Sequence, residues 1–315
     1  MSLGPLLADA SAPASLMLMG EHAVLSGSGA IVVAVDQRLR VRIYQREDQN
    51  IHLHSSQYGE HVFAKSNPMI KGKMALLIAI MEPLLPRFAQ GLSIQIDSAI
   101  LLDHGLGTSG AVSIALLQAL YVALKEHQSC ADLFEQALKA VRLVQKQASG
   151  GDLVAALYGG VHYYRSDPLY LEPLPGDYQF ALAYSGQKTP THEVLAYLEG
   201  RYRDQKERLA AHLRDIGRLC TVAKNAWGHD QAMVAQAMVA QNNCFCEMGL
   251  IDTGLDQALR QLAKQKGICA SKVSGAGLGD CALGMFDASM SVELDVPDLM
   301  LVPKSVKGVD HVAIG

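Results

Sequence analysis

The run Asp103-His104-Gly105-Leu106-Gly107-Thr108-Ser109-Gly110-Ala111 concentrates the residue types that bind phosphate. Its glycines permit backbone angles closed to other residues and let a ligand approach the main chain. Thr108 or Ser109 offers a hydroxyl able to cap a helix. The amides that open a helix have no partner inside it, and the helix dipole adds partial positive charge, so an anion is favoured there. Taken alone, the stretch reads equally as an ordinary glycine loop before a capped helix. A Walker loop is excluded, because no lysine stands between Lys73 and Lys125. The dinucleotide fingerprint has a different glycine spacing in the first turn of a strand-helix-strand unit. A hydroxyl pair before the third glycine fits phosphate with a metal better than pyrophosphate alone.

Three further stretches carry candidate chemistry. Gly20-Glu21-His22-Ala23-Val24 puts an acid and a histidine in one turn. Ala148-Ser149-Gly150-Gly151-Asp152 presents a carboxylate where a helix begins. On local evidence Asp152 is an N-cap. Ser274-Gly275-Ala276-Gly277-Leu278-Gly279-Asp280-Cys281 is another glycine turn.

The elements that must position these residues follow from periodicity. Leu92–Ile96 alternates apolar and polar residues, as a half-buried strand does, and Ala111–Leu120 is a run of good helix formers. The glycine loop is therefore a strand-to-helix turn. Ser15–Met19, Ala30–Val35, Leu39–Tyr44 and Ile51–His54 read as strands, and residues 1–12 show no period. Lys73–Met81 reads as a helix stopped by Pro83 and Pro86, and Ala131–Lys146 as an amphipathic helix. Phe180–Tyr184 and Ala282–Phe286 read as strands, and Thr191–Ala263 is mostly helical. Pro168 and the Pro173–Asp177 segment mark a boundary near 165–178, giving domains 1–170 and 171–315. Histidines 52, 54 and 61 are expected at the surface, and the methionines of Gln231–Ala240 in the core.

The chain has 315 residues, half of them hydrophobic, and a net charge of -4. That charge offers no case for nucleic-acid binding. The first positive side chain is Arg38, which leaves no charged start for a signal peptide, and no apolar run approaches a membrane span. The six cysteines sit among apolar neighbours and are expected as buried free thiols of a cytoplasmic protein. A homodimer is left open.

The three motifs stand in order: Pro13-x6-Gly20-Glu21-His22-Ala23-Val24, then Gly105–Ala111, then Lys272-Val273-Ser274-Gly275-Ala276-Gly277-x-Gly279. Ser149-Gly150-x-Asp152 and Tyr158-Gly159-Gly160 lie between the last two. This set resembles the GHMP kinases over nearly the whole chain, and Gly-Glu-His-Ala-Val is most similar to their mevalonate kinase branch. The resemblance implies an α/β (α+β) fold of two domains. The first would be ribosomal-S5-like, the second ferredoxin-like, with the active site between them.

The resemblance also implies ATP and Mg²⁺ as co-substrates and phosphoryl transfer to the 5-hydroxyl of mevalonate. His104, Gly105, Leu106, Gly107, Thr108, Ser109, Gly110 and Ala111 would hold the ATP phosphates, with Ser109 reaching the metal. Asp152 would be the catalytic base. Glu21, His22, Thr191, Gly275, Ala276 and Gly277 would line the substrate pocket. Two positions depart from the pattern. Ser15 stands where the family's first motif has lysine, and Val141 where it has a metal-binding glutamate. Arg142, Lys146 or Lys188 could supply positive charge. Ser149-Gly150-Gly151-Asp152 and Gly279-Asp280-Cys281 are more similar to phosphomevalonate kinases, which keeps mevalonate 5-phosphate as an alternative acceptor. The two departures also keep open a GHMP-fold protein that binds without catalysis, against which intact Ser109 and Asp152 weigh.

Overall fold

The computed structural model describes residues 4–56, 59–100, 105–304 and 307–312. Two sheets organise it. The first is built on a hairpin of two long strands, β1 (Leu6–Met19) and β2 (Ala30–Gln45). Then come β3 (Asn50–Ser55), β4 (Gly59–Ala64), helix α1 (Ala75–Met81) after a short 3-10 turn, and β5 (Leu92–Ser98). Helices α2 (Thr108–Ala123), α3 (Cys130–Gln145) and α4 (Gly151–Tyr158) lead to the hairpin β6 (Val161–Ser166) and β7 (Leu169–Pro173). The β2 strand is long enough to serve two partners. Ala30–Val33 pair with β6, while Leu39–Gln45 pair with β5. All pairings are antiparallel except β3 with β5.

The second sheet begins with β8 (Phe180–Tyr184). Four helices follow: α5 (Thr191–Arg201), α6 (Lys206–Ala226), α7 (Gln231–Met248) and α8 (Thr253–Lys264). Strands β9 (Ile268–Ser274), β10 (Cys281–Phe286) and β11 (Leu299–Leu301) complete an antiparallel sheet in the order β11-β8-β10-β9. The chain then returns to the first sheet, where β12 (Asp310–His311) pairs with β1. No helix among the described residues is long and apolar enough to cross a membrane.

Helix α2 is apolar nearly all round, as a helix buried on every side must be. It packs on β1 and β2 and against α1, α3 and α4. Leu116 and Leu120 have no exposed surface, so truncating either to alanine would cost about 2–5 kcal/mol. Such a loss would loosen the helix whose first turn carries the glycine loop.

Several local expectations are corrected. Strand β1 starts at Leu6; Ala8, Ala10, Ala12 and Ala14 alternate with Asp9, Ser11, Pro13 and Ser15, but alanine is too small to mark an apolar face strongly. Residues 30–45 form one strand, with a register shift opposite Pro13 and Ala14 absorbing the irregular Asp36-Gln37-Arg38. Asp167-Pro168 turns the β6–β7 hairpin within the first sheet. His54 and His61 are exposed, but His52 is half-buried. Met238 is in the core, whereas Met233, one helical turn away on another face, is 44% exposed. All six cysteines are free, and Cys130, Cys246 and Cys269 are exposed.

Candidate active site

The glycine loop does join a strand to a helix, and its close contacts explain its glycines. Gly107 is left-handed (φ 59°) and is the N-cap residue of α2. A Cβ there would lie 1.9 Å from Ser15 Oγ. A Cβ on Gly110 would lie 2.7 Å from both the carbonyl carbon and the Cβ of Asp152. Only glycine lets β1, the loop and α4 converge this tightly. Thr108 and Ser109 do not cap α2 through their side chains, because they are its first helical residues and Gly107 precedes them. Their amides open the helix and have no partner in it, the arrangement that attracts an anion. Gly105, Leu106, Gly107, Thr108 and Ser109 line the cleft, while Gly110 and Ala111 are buried behind it. His104 lies outside the described residues.

Asp152 is the second residue of α4, whose N-cap is the left-handed Gly150. It is therefore not an N-cap. Its Oδ1 accepts a hydrogen bond from its neighbour Leu153 N at 3.1 Å. The carboxyl group is deep in the cleft wall, and burial pushes it above the usual carboxylate range. Amide hydrogen bonds from Leu153, from Asp152 itself and from Gly110 pull it partly back. A carboxylate raised in this way is a stronger proton acceptor than one in water.

Ser15 reaches the centre of this cluster from β1, and its amide donates to Leu106 O at 3.1 Å. It is buried against Gly107 and also lines the cleft. Val141 is buried in α3 and contributes only apolar surface to the cleft. Of the three cations named as substitutes for the missing lysine, Lys146 and Lys188 line the cleft. Arg142 does not; it donates to Ala148 O. Arg203 and Lys206, at the α5–α6 turn, line the cleft as well. In the sequence they look like ordinary exposed charges of a helical segment.

Glu21 and His22 sit where the two halves of the chain meet. Glu21 Oε1 accepts from Lys272 Nζ at 2.5 Å, and Glu21 Oε2 accepts from Gln241 Nε2 at 2.5 Å. Gln241 Oε1 in turn accepts from Gly20 N at 3.0 Å. Lys272 also donates to Val273 O. Glu21 reaches the cleft wall with both oxygens already engaged. His22, itself left-handed (φ 62°), donates from Nε2 to Ala276 O at 2.8 Å and packs its ring on Phe245. Burial lowers its pKa, against smaller opposing effects of the Ala276 carbonyl and the Glu21 charge. Burial thus favours the neutral ring, and the Ala276 carbonyl favours the tautomer with its proton on Nε2. The sequence alone assigns no role to Lys272 or Gln241. A lysine in a strand with no other charge is the one local sign that an acid must meet it.

The third glycine turn closes the other wall. Ser274 Oγ donates to Met17 O at 3.0 Å, tying β9 to β1. Gly275, Ala276 and Asp280 line the cleft, as does Thr191 at the start of α5. Gly277 does not; a Cβ on it would meet Leu250 at 2.8 Å, and the turn is held by Leu278 N donating to Leu250 O. The cleft between these walls encloses about 1690 Å³, ample for a nucleotide and a small acceptor together.

Comparison with known proteins agrees with this arrangement. The family model "GHMP kinases N terminal domain" matches residues 73–160, and "GHMP kinases C terminal" matches residues 222–294. The chain is 28% identical to a mevalonate kinase of Pyrococcus abyssi over 306 residues, covering 88% of each chain. The fold superposes on the mevalonate kinase of Methanococcus jannaschii with a TM-score of 0.78 at 18% identity, covering 94% of this chain and 98% of that one. It also superposes on a Streptococcus pneumoniae phosphomevalonate kinase in complex with phosphomevalonate and AMPPNP. There the TM-score is 0.72 at 15% identity, with 89% and 93% covered. Two matched family domains in sequence order, carried on a two-domain mixed α/β fold, make this chain a member of the GHMP kinase family.

Proposed function

We propose that the chain is a mevalonate kinase, transferring the γ-phosphate of ATP to the 5-hydroxyl of mevalonate. The observation that carries this reading is the contact of Asp152 with Gly110, which sets a half-buried, cleft-lining carboxyl beside the first turn of the phosphate-loop helix. Phosphoryl transfer asks chiefly for positioning and charge stabilisation. The 105–111 loop and the α2 amides bind the phosphates. Asp152 takes the proton as the acceptor oxygen bonds to the γ-phosphorus and the bond to the β-phosphate oxygen breaks, releasing ADP. His22, Thr191, Gly275 and Ala276 line the acceptor's side of the cleft. Glu21, held by Lys272 and Gln241, anchors the turn that carries His22. A division at residue 170 would cut β7, which pairs with β6 to Pro173, so the boundary that suits this scheme lies just after Pro173.

The donors facing the cleft are hard oxygens, the Ser109 hydroxyl and the Asp152 and Asp280 carboxylates, and this is a set that suits magnesium. Ser109 would hold the ion, which supplies charge neutralisation on the phosphates when bound. Lys146, Lys188, Arg203 and Lys206 add positive charge around the same space.

Arg203 and Lys206, together with Lys188, also favour a second reading in which the acceptor already carries a phosphate, as in mevalonate 5-phosphate. Coupled ADP release with mevalonate and with mevalonate 5-phosphate, each with magnesium ATP, separates the two. Turnover of mevalonate alone is the expected result. Release of ADP with neither compound, and no protection of the fold by ATP, would remove the kinase reading. A binder without catalysis has no use for a buried base, and Asp152 weighs against it.

A further inference from the structure

Asp280 is the one residue of the third glycine turn that sets a charge against the phosphate loop. A Cβ on Gly105 would lie 3.2 Å from Asp280 Cβ and Cγ and 3.3 Å from Oδ1. On the other side, a Cβ on Gly275 would lie 3.4 Å from Oδ2. The carboxylate is thus fitted between a glycine of the phosphate loop and a glycine of the opposite wall, and it lines the cleft. Its backbone is pinned. The amide donates to Gln187 O at 2.8 Å, and the carbonyl accepts from Ser185 N at 2.9 Å. The residue is left-handed (φ 63°), a conformation glycine would adopt at no cost, in a turn otherwise rich in glycine.

A carboxylate beside bound phosphates repels them unless a cation lies between. The position where the family carries its metal-binding glutamate is here the buried Val141, which has no donor to offer. We propose that Asp280 supplies the carboxylate that holds the divalent cation of metal-bound ATP, with Ser109 facing it across the loop. This inference rests on the kinase reading above.

The test is equilibrium binding of ATP by calorimetry, with magnesium and in EDTA, to wild-type protein and to Asp280→Asn. Asn tolerates the left-handed backbone, and Asp280→Gly suits it better; a thermal melt of each checks the fold. The wild type should bind ATP more tightly with magnesium. Asp280→Asn and Asp280→Gly should lose at least about tenfold of that gain, the least expected when a metal ligand is removed. In EDTA both should bind ATP as well as or better than wild type, because the repelling charge is gone. A folded variant that keeps the whole magnesium gain overturns the assignment and leaves the kinase reading standing. A wild type that binds ATP equally with and without magnesium also overturns it. A wild type that binds no ATP at all removes both.

Discussion

Lys272 and Glu21 form an ion pair at 2.5 Å in which neither side chain exceeds 3% exposure, joining the last glycine motif to the first across the centre of the molecule. The carboxylate's second oxygen accepts from Gln241, so each of its oxygens has a donor. Desolvating two charges is costly, and such pairs add little net stability, but removing one partner leaves a buried charge alone. Lys272→Met should therefore lower stability by about 3–5 kcal/mol. The double variant Lys272→Met with Glu21→Gln should recover a large part of that loss. Urea unfolding of the three proteins gives the comparison. Equal stability of the single and double variants would show that the charges are not coupled.

Asp152→Asn should fold and bind ATP almost normally, yet lose about 10²–10⁴ in kcat. Asn keeps the shape against Gly110 but cannot take a proton. Turnover within about threefold of wild type would remove Asp152 from the mechanism, since a general base is worth far more.

The raised pKa of Asp152 has two consequences with pH. As pH falls through the raised value the carboxylate is protonated and the base is lost, so the acid limb of kcat should lie above the ordinary carboxylate range. The folded state also binds this proton more tightly than the unfolded state. Asp152 therefore favours the fold at low pH, and that contribution is lost as pH rises from the unfolded to the folded pKa. Asp152→Asn should abolish this slope of stability against pH and the acid limb together.

Ser109→Ala should change stability by no more than about 0.5 kcal/mol, because the hydroxyl does not cap α2 and the substitution preserves the helix. Its effect should appear instead in the magnesium dependence of turnover. Gly110→Ala should behave oppositely. A methyl group 2.7 Å from Asp152 backbone and Cβ must displace α4, with a loss of about 1–3 kcal/mol and of ATP affinity. Thermal melts with and without ATP distinguish the two variants.

The double variant Arg203→Gln with Lys206→Gln tests the acceptor. With mevalonate as substrate, its KM should stay within about threefold, as for surface changes of about 0.5 kcal/mol. With a phosphorylated acceptor, loss of a charge-assisted contact should raise KM by about tenfold or more.

What the sequence by itself determined was local. The glycines and hydroxyls of 105–111, the apolar helix after them and the carboxylate at the head of α4 are contiguous, and their backbone demands can be read from residue type. Even there, one or two residues of helix boundary decided against capping by Thr108 or Ser109 and against Asp152 as an N-cap. Strands β6 and β7 were hidden, because a hairpin turn at Asp167-Pro168 looks the same as a domain break.

Tertiary structure alone decided the contacts between distant stretches. Glu21 meets Lys272 and Gln241, Asp280 lies against Gly105, and Arg203 and Lys206 turn toward the cleft. Each of these is a pairing of charge with charge or of charge with open space. No period or spacing encodes such pairings, because they arise only when the two sheets bring β1, β9 and the 105–111 loop together. For the same reason the need for glycine at 107 is invisible locally: a Cβ there would meet Ser15 Oγ, which arrives from β1.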